Sequence, residues 1–153
     1  MAIHIGYPFS QEDIQTLLYG IASQRYGITS LHSFQIEAAE NAIFGDNTLV
    51  IQPTGSGKSL CYQLVALQTK QLVLVFTPTI ALMQDQVQQL RSNEIPAIVL
   101  GDGETMEMLL SNDQPLIVYL TPEYIFGSSS QRLSILKRLA DNKKHLQPTC
   151  CSG

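Results

Sequence analysis

Apolar residues recur at helical spacing in two stretches near the start of the chain. The first stretch predicts a helix that begins after Ser10, whose hydroxyl suits an N-cap, and that ends at Gly27. The second stretch predicts a helix over residues 33–44, with Gly45 as its stop. The side chains expected to face inward are Ile14, Leu17, Leu18 and Ile21 in the first helix and Ile36, Ala39 and Ile43 in the second.

From residue 49 onward, short apolar runs alternate with amphipathic stretches. The runs predict buried strands at residues 49–51, 72–76, 97–100 and 116–120. The stretches between and after them predict helices at residues 57–69, 78–91, 104–110 and 131–144. This alternation is typical of an α/β protein with a mostly parallel sheet flanked by helices on both faces.

Three loops that follow predicted strands carry the distinctive residues of the chain. They cover residues 52–59, 77–80 and 121–124. Ligands of open parallel sheets gather at the carboxyl ends of the strands. We therefore expect these loops to line one edge of the molecule.

Composition and charge narrow the class of protein. The 153 residues are 44% hydrophobic and 14% charged, which is typical of a folded domain. We expect a soluble, intracellular protein, because no apolar run approaches a membrane span and the first ten residues lack a signal-peptide pattern. The net charge of −4 gives no overall attraction to nucleic acid, so any such contact must be local.

The loop after the first predicted strand has the composition of a phosphate-binding loop. Glycines let the backbone N–H groups curl around anionic oxygens, and the following helix N-terminus adds partial positive charge. A lysine can reach the β- and γ-phosphates, and the next hydroxyl can ligate Mg²⁺. The residues predicted to bind the nucleotide are Gln52, Pro53, Thr54, Gly55, Ser56, Gly57, Lys58 and Ser59, with Ser59 as the metal ligand.

The match to the strict pattern G-x-x-x-x-G-K-[ST] is imperfect. Gln52 stands where the first glycine would be. The alternative interpretation is a glycine-rich turn that binds nothing. The strand predicted before the loop and the helix predicted after it favour phosphate binding.

Four motifs together resemble the first motor lobe of RecQ-type DNA helicases. They are Y-G-I-T-S-L-H-S-F-Q (26–35), Q-P-T-G-S-G-K-S-L-C-Y-Q (52–63), F-T-P-T-I-A-L-M-Q-D-Q-V (76–87) and Y-L-T-P-E (119–123). Residues 93–101 and 118–124 most resemble the Werner syndrome helicase branch of that family. The resemblance implies a RecA-like P-loop NTPase fold that uses ATP and Mg²⁺, with Lys58 as the catalytic lysine.

The same resemblance assigns the base-binding residues. Gln35 matches the glutamine that reads the adenine edge, and its amide carries both a donor and an acceptor. Tyr26 or Ile28 would supply an apolar face beside the base. Leu31 replaces the usual aromatic residue, and His32 replaces the usual arginine. Because histidine is shorter than arginine and lacks its planar guanidinium, we hypothesise weaker or less selective adenine binding.

The resemblance also implies that two loops grasp single-stranded or forked DNA. Backbone N–H groups and short hydroxyls can hold phosphates without reading bases. The alternative is a plain strand-to-helix connection with a threonine cap. The residues predicted to bind DNA are Thr77, Pro78, Thr79, Thr121 and Pro122.

The acidic Asp-Glu-Ala-His motif of the resembling family does not occur in these residues. We therefore expect residues 10–145 to be a partial lobe truncated before the acidic strand, with an irregular lead-in over 1–9 and a tail outside the family pattern over 146–153. The parent would couple ATP hydrolysis to 3′–5′ DNA unwinding, in the nucleus if eukaryotic, whereas catalysis by this chain alone stays open. The alternatives are a non-catalytic nucleotide- or DNA-binding isoform and a lobe of a related RNA helicase; S-L-C-Y-Q and A-L-M-Q-D-Q-V disfavour the RNA helicase.

Overall fold

A computed structural model of the chain describes residues 9–100, 117–126 and 147–148. The chain divides into two compact units, one ending at Thr69 and the other beginning at Lys70. The helices predicted over residues 104–110 and 131–144 lie outside the described residues. No helix within the described ranges has both the length and the apolar character needed to cross a bilayer.

The described part of the first unit, residues 9–69, contains three helices. They are α1 (Gln11–Tyr26), α2 (Ser33–Phe44) and α3 (Lys58–Thr69). α3 packs against both α1 and α2. All three helices confirm the predictions, because their apolar spacing and their terminal residues act locally.

The ends of α1 show why its sequence starts and stops a helix. The backbone N–H of Asp13 donates to the Ser10 hydroxyl at 3.2 Å, and the Ser10 N–H donates to the Asp13 carboxylate at 3.0 Å. These reciprocal bonds form a capping box. The hydrogen bonds from the Ser10 hydroxyl and N–H hold the pKa of Asp13 below its usual value. At the other end, Gly27 takes the left-handed conformation (φ 66°), which a glycine adopts without a steric penalty.

The core of the first unit is formed by the facing sides of its helices. Leu18 and its neighbour Leu17 differ in exposure. Leu18 is 0% exposed, whereas Leu17 is 38% exposed. The prediction that Leu17 faces inward is therefore wrong. Residues at adjacent helical positions point in directions about 100° apart, so only one of the two can lie at the centre of the buried face. The buried cluster comprises Ile14, Leu18, Ala22, Leu31, Ala39, Ile43, Leu60, Leu64 and Val65.

The strand predicted over residues 49–51 is wrong. These residues form neither helix nor strand, and the side chains of Leu49 and Ile51 are each 81% exposed. A strand needs a neighbouring strand to accept its backbone hydrogen bonds. The described part of the first unit contains no strand, so residues 49–51 have no partner strand there for backbone hydrogen bonds.

The second unit is built on a parallel sheet. Its strands are β1 (Val73–Phe76), β2 (Ala97–Val99), β3 (Ile117–Leu120) and β4 (Gln147–Pro148), and its helices are α4 (Ile80–Ser92) and α5 (Pro122–Phe126). The order across the sheet is β2-β3-β1-β4, and every pair is parallel. This architecture confirms the predicted α/β class with a parallel sheet.

The second unit differs from the predicted elements at the start of α4 and in one additional strand. α4 begins at Ile80, two residues later than predicted, because Pro78 and Thr79 remain in the connection after β1. β4 falls within the segment predicted as a tail outside the family pattern, where it pairs with Val73 and Leu74. One buried cluster joins Leu72, Leu74, Ile98, Leu100, Val118 and Leu120.

Candidate nucleotide-binding site

The loop between residue 52 and α3 turns sharply at two glycines. Gly55 and Gly57 both take left-handed conformations, with φ of 81° and 83°. The N–H of Ser56 donates to the carbonyl of Pro53 at 3.3 Å, which closes a tight turn. Residues with side chains rarely adopt two such angles within three positions, so this curvature depends on the glycines that the sequence singled out.

Lys58 folds back across the loop. Its Nζ donates to the carbonyl oxygens of Gln52 and Pro53, each at 2.9 Å. A lysine ammonium has three donors on a flexible stem, so it can exchange such carbonyl contacts for phosphate oxygens. The predicted cofactor residues Gln52, Pro53 and Lys58 are therefore brought together by one side chain. The position that departs from the strict motif, Gln52, contributes its backbone carbonyl.

Gln35 contacts the same loop from α2. Its side chain is only 4% exposed. The Nε2 group donates to the carbonyl of Gly57 at 3.0 Å, and Oε1 accepts from the backbone N–H of His32 at 2.9 Å. The spacing of a glutamine three residues after a helix N-cap signals the second of these bonds. No local signal indicates the first, because its partners lie 22 positions apart.

Two serines complete the loop. The Ser56 hydroxyl is buried and has no hydrogen-bond partner within the described residues. Buried hydroxyls are usually paired, so an unpaired one in this loop fits a site that receives a polar ligand. Ser59 is partly buried in the first turn of α3, where the leading N–H groups of a helix have no intrahelical acceptor. The Ser56 hydroxyl and the first N–H groups of α3 are hydrogen-bond donors of the kind that bind a phosphate group. The Ser59 hydroxyl is an oxygen ligand of the kind that Mg²⁺ accepts.

The residues expected beside the base have different surroundings. Leu31 belongs to the buried core of the first unit, and Ile28 and Tyr26 pack against that core. The Tyr26 hydroxyl is buried without a hydrogen-bond partner among the described residues. Burial raises the pKa of the Tyr26 phenol, and its neighbour Tyr62 raises it further. The His32 ring is exposed and stacks on Phe34, with ring centroids 5.7 Å apart.

The two predicted DNA loops are adjacent in the sheet of the second unit. Phe76 of β1 is paired with Leu120 of β3, and the N–H of Thr77 donates to the carbonyl of Leu120 at 3.1 Å. The loops that follow these strands therefore begin side by side. This arrangement confirms, within the second unit, the expectation that strand-end loops share an edge.

The threonines of these loops differ in accessibility. The Thr77 hydroxyl is buried and finds no hydrogen-bond partner in the described part of the chain. The Thr121 hydroxyl accepts from the N–H of Tyr124 at 3.1 Å and so caps α5. Thr79 is exposed, as is Pro78, and the Thr79 side chain makes no capping bond to α4. Of these three threonines, Thr79 is exposed, Thr121 is partly buried and Thr77 is buried.

Comparison with known proteins defines the class. The family model for DEAD/DEAH box helicases matches residues 32–143, so the chain belongs to this family. The match begins at the N-cap of α2 and includes the loop before α3 and strands β1, β2 and β3, whereas β4 lies beyond it. The RecA-like α/β lobe predicted from the motifs is thereby confirmed.

Within that class, the chain is similar to RecQ-type DNA helicases. It is 40% identical over 108 residues to the ATP-dependent DNA helicase Q-like SIM of Arabidopsis thaliana, covering 69% of this chain and 13% of that protein. It is 39% identical over 110 residues to the ATP-dependent DNA helicase RecQ of Haemophilus influenzae, covering 68% and 18%. It is 34% identical over 147 residues to the ATP-dependent helicase SGS1 of Saccharomyces cerevisiae, covering 90% and 10%. The predicted RecQ resemblance is confirmed, and the chain spans less than a fifth of these relatives.

Proposed function

We propose that this chain is the ATP-binding part of the motor of a RecQ-type ATP-dependent DNA helicase. The single observation that carries the proposal is the glycine-shaped loop crossed by Lys58, within a chain of the helicase family. In the longer protein, ATP hydrolysis would drive 3′–5′ unwinding of DNA, with roles in repair and recombination in a nucleus.

The phosphate loop supplies the groups that bind the nucleotide. The backbone of residues 54–57 curls around the phosphates, and Lys58 exchanges its two carbonyl partners for β- and γ-phosphate oxygens. The buried Ser56 hydroxyl gains a partner. Ser59 would hold the Mg²⁺ that accompanies the nucleotide. When bound, this ion neutralises phosphate charge.

The connection from β1 to α4 is the proposed contact with single-stranded or forked DNA. Thr79 precedes the N-terminus of a 13-residue helix, whose first N–H groups favour an anionic phosphate. The chain carries a net charge of −4, so hydroxyl and N–H donors at this point suit a contact that must be local.

Binding of both ligands by the 153-residue chain tests this function. We expect saturable binding of Mg·ATP in a calorimetric titration and of a fluorescent single-stranded DNA in an anisotropy titration. A single-stranded RNA of the same sequence is the comparison ligand. The proposal would be overturned if a folded sample bound no nucleotide, and a clear preference for RNA would favour a lobe of an RNA helicase.

The two threonines after β1 provide a residue-specific prediction. We expect Thr79→Val to weaken single-stranded DNA binding by about threefold to tenfold, because one exposed hydrogen-bonding hydroxyl is lost. Thr77→Val is the matched control. It removes a buried hydroxyl without a described partner, so DNA affinity and thermal stability should be unchanged or slightly raised.

Anisotropy titrations of both variants with the same oligonucleotide check this prediction. Equal losses would show that the loop responds to any change of side chain. A loss confined to Thr77→Val would mean that the loop opens to present its buried hydroxyl to DNA.

A further inference from the structure

Residues 47–51 place an apolar run at the surface of the first unit. The side chains of Leu49 and Ile51 are each 81% exposed, whereas Val50 between them is partly buried. Successive side chains of an extended chain point to opposite sides, so this alternation is that of a strand with one apolar face in water. Neighbouring apolar side chains that are exposed in this way mark a surface that association can cover.

The backbone of the same run is also without partners. No N–H or carbonyl group of residues 47–51 forms a hydrogen bond with another described residue. On one side of the run, the Asp46 N–H donates to the Asn41 carbonyl at 2.8 Å. On the other side, the Gln52 carbonyl accepts from Lys58 Nζ at 2.9 Å. The unpaired donors and acceptors are therefore confined to the exposed apolar run, and together they form an open edge of the kind that pairs with another strand.

A second copy of the chain brings a matching edge, because the sequence around Val50 is symmetric in polarity. The neighbours of Val50, Leu49 and Ile51, are both apolar. The next residues outward, Thr48 and Gln52, are both polar and uncharged. In an antiparallel pair of two copies centred on Val50, apolar side chains therefore face apolar ones and polar side chains face polar ones.

This register also brings no like charges together. Residues 47–57 carry no charged side chain, and Asp46 lies opposite the uncharged Thr54. A shift of the centre by one residue sets an apolar side chain against a polar one, such as Ile51 against Asn47. The symmetric register is therefore the one that the sequence favours.

We propose that residues 47–52 are a self-pairing strand through which two copies of this chain associate as an antiparallel dimer. Each copy contributes the same unpaired backbone and the same apolar side chains, so the contact closes on itself with two-fold symmetry. A pair of short strands is only marginally stable in water, so the association is weak and depends on concentration. The proposal requires no nucleotide and is therefore independent of the proposed function.

Two double variants test the pairing and its register. Leu49→Lys/Ile51→Lys places lysine opposite lysine in both cross-strand pairs, where like charges repel. Leu49→Lys/Ile51→Glu places lysine opposite glutamate in the same two pairs. The substituted side chains are exposed, so both variants should fold, which circular dichroism and thermal unfolding establish. Ile80→Lys/Leu82→Lys, at two exposed apolar residues of α4, is the matched control for added charge and lost apolar surface.

Sedimentation equilibrium without nucleotide measures the association. We expect the average mass of the unsubstituted chain and of the control to rise with concentration toward twice that of one chain. The lysine–lysine variant should dimerise about tenfold more weakly, whereas the lysine–glutamate variant should recover an association that added salt weakens. A monomer at every concentration, growth beyond a dimer, unchanged dimerisation of the lysine–lysine variant or equal loss in both double variants would overturn the proposal.

Hydrogen exchange of residues 47–52 is the second measurement. We expect exchange in this segment of the unsubstituted chain to slow as concentration rises, because the dimer pairs N–H groups that have no described partner in the monomer. The lysine–lysine variant should exchange rapidly at every concentration. Slow exchange in a monomer would overturn the proposal and show that the segment pairs within its own chain. Neither measurement involves nucleotide or DNA, so a failure here leaves the proposed function to its own test.

Discussion

Lys58→Gln is expected to weaken Mg·ATP binding by about 10- to 100-fold, the range for losing hydrogen bonds from a charged group. The Lys58 ammonium is positively charged and already contacts the loop, through the carbonyl oxygens of Gln52 and Pro53. Glutamine is shorter and neutral, so it neither reaches the phosphates nor balances their charge. Titration with a fluorescent ATP analogue, checked by competition with unlabelled Mg·ATP, measures the change.

Lys70→Gln is the matched control for Lys58→Gln. Lys70 is exposed just after α3, and the substitution changes the net charge by the same amount. Its affinity for Mg·ATP should equal that of the unsubstituted chain. Equal losses in the two variants would mean that overall charge governs binding, and the assignment of Lys58 to the phosphates would then fail. Thermal unfolding of each variant establishes that the comparison is made between folded proteins.

Leu18→Ala is expected to lower the free energy of unfolding by about 2–5 kcal/mol, the range for removing a buried leucine side chain. Leu18 is 0% exposed at the centre of the core of the first unit, where truncation leaves a cavity. Typical domains are stable by only about 5–15 kcal/mol, so this is a large share of the total. Urea unfolding followed by circular dichroism measures the difference.

The neighbouring residue supplies the control for Leu18→Ala. Leu17 has the same chemistry and the same helix, but it is 38% exposed. Leu17→Ala should cost less than about 1 kcal/mol, because part of its surface is already in water and no closed cavity forms. Similar costs for the two substitutions would contradict the packing described for α1.

The helices of the first unit show how much of the fold is predictable. α2 begins and ends at the residues that the pattern indicated, and the predicted stops Gly27 and Gly45 both take left-handed conformations. Each of these features depends on contacts within a few residues. The turn at residues 53–58 depends on short-range features as well, since its two glycines and its lysine lie within four positions of one another.

The run of apolar residues at 49–51 shows where such predictions stop. Its composition indicates a buried strand, yet Leu49 and Ile51 are exposed. The composition of a segment indicates its propensity to form a β-strand. A strand also needs a neighbouring strand, and the segment itself does not determine where that neighbour lies. β4 is the opposite case: Gln147–Pro148 has no strand-like pattern and nevertheless pairs with β1.

The sequence by itself determined the class of this protein, the helices of the first unit and the sharp turn at Gly55 and Gly57, because these depend on spacing, caps and glycines within short segments. Tertiary structure decided which candidate side chains are buried, which are exposed and which have distant partners. It buried the Thr77 hydroxyl while Thr79 stayed exposed, and it connected Gln35 to Gly57 across 22 positions. The burial of a polar side chain and hydrogen bonds between distant residues depend on which segments pack together, so a short segment does not specify them.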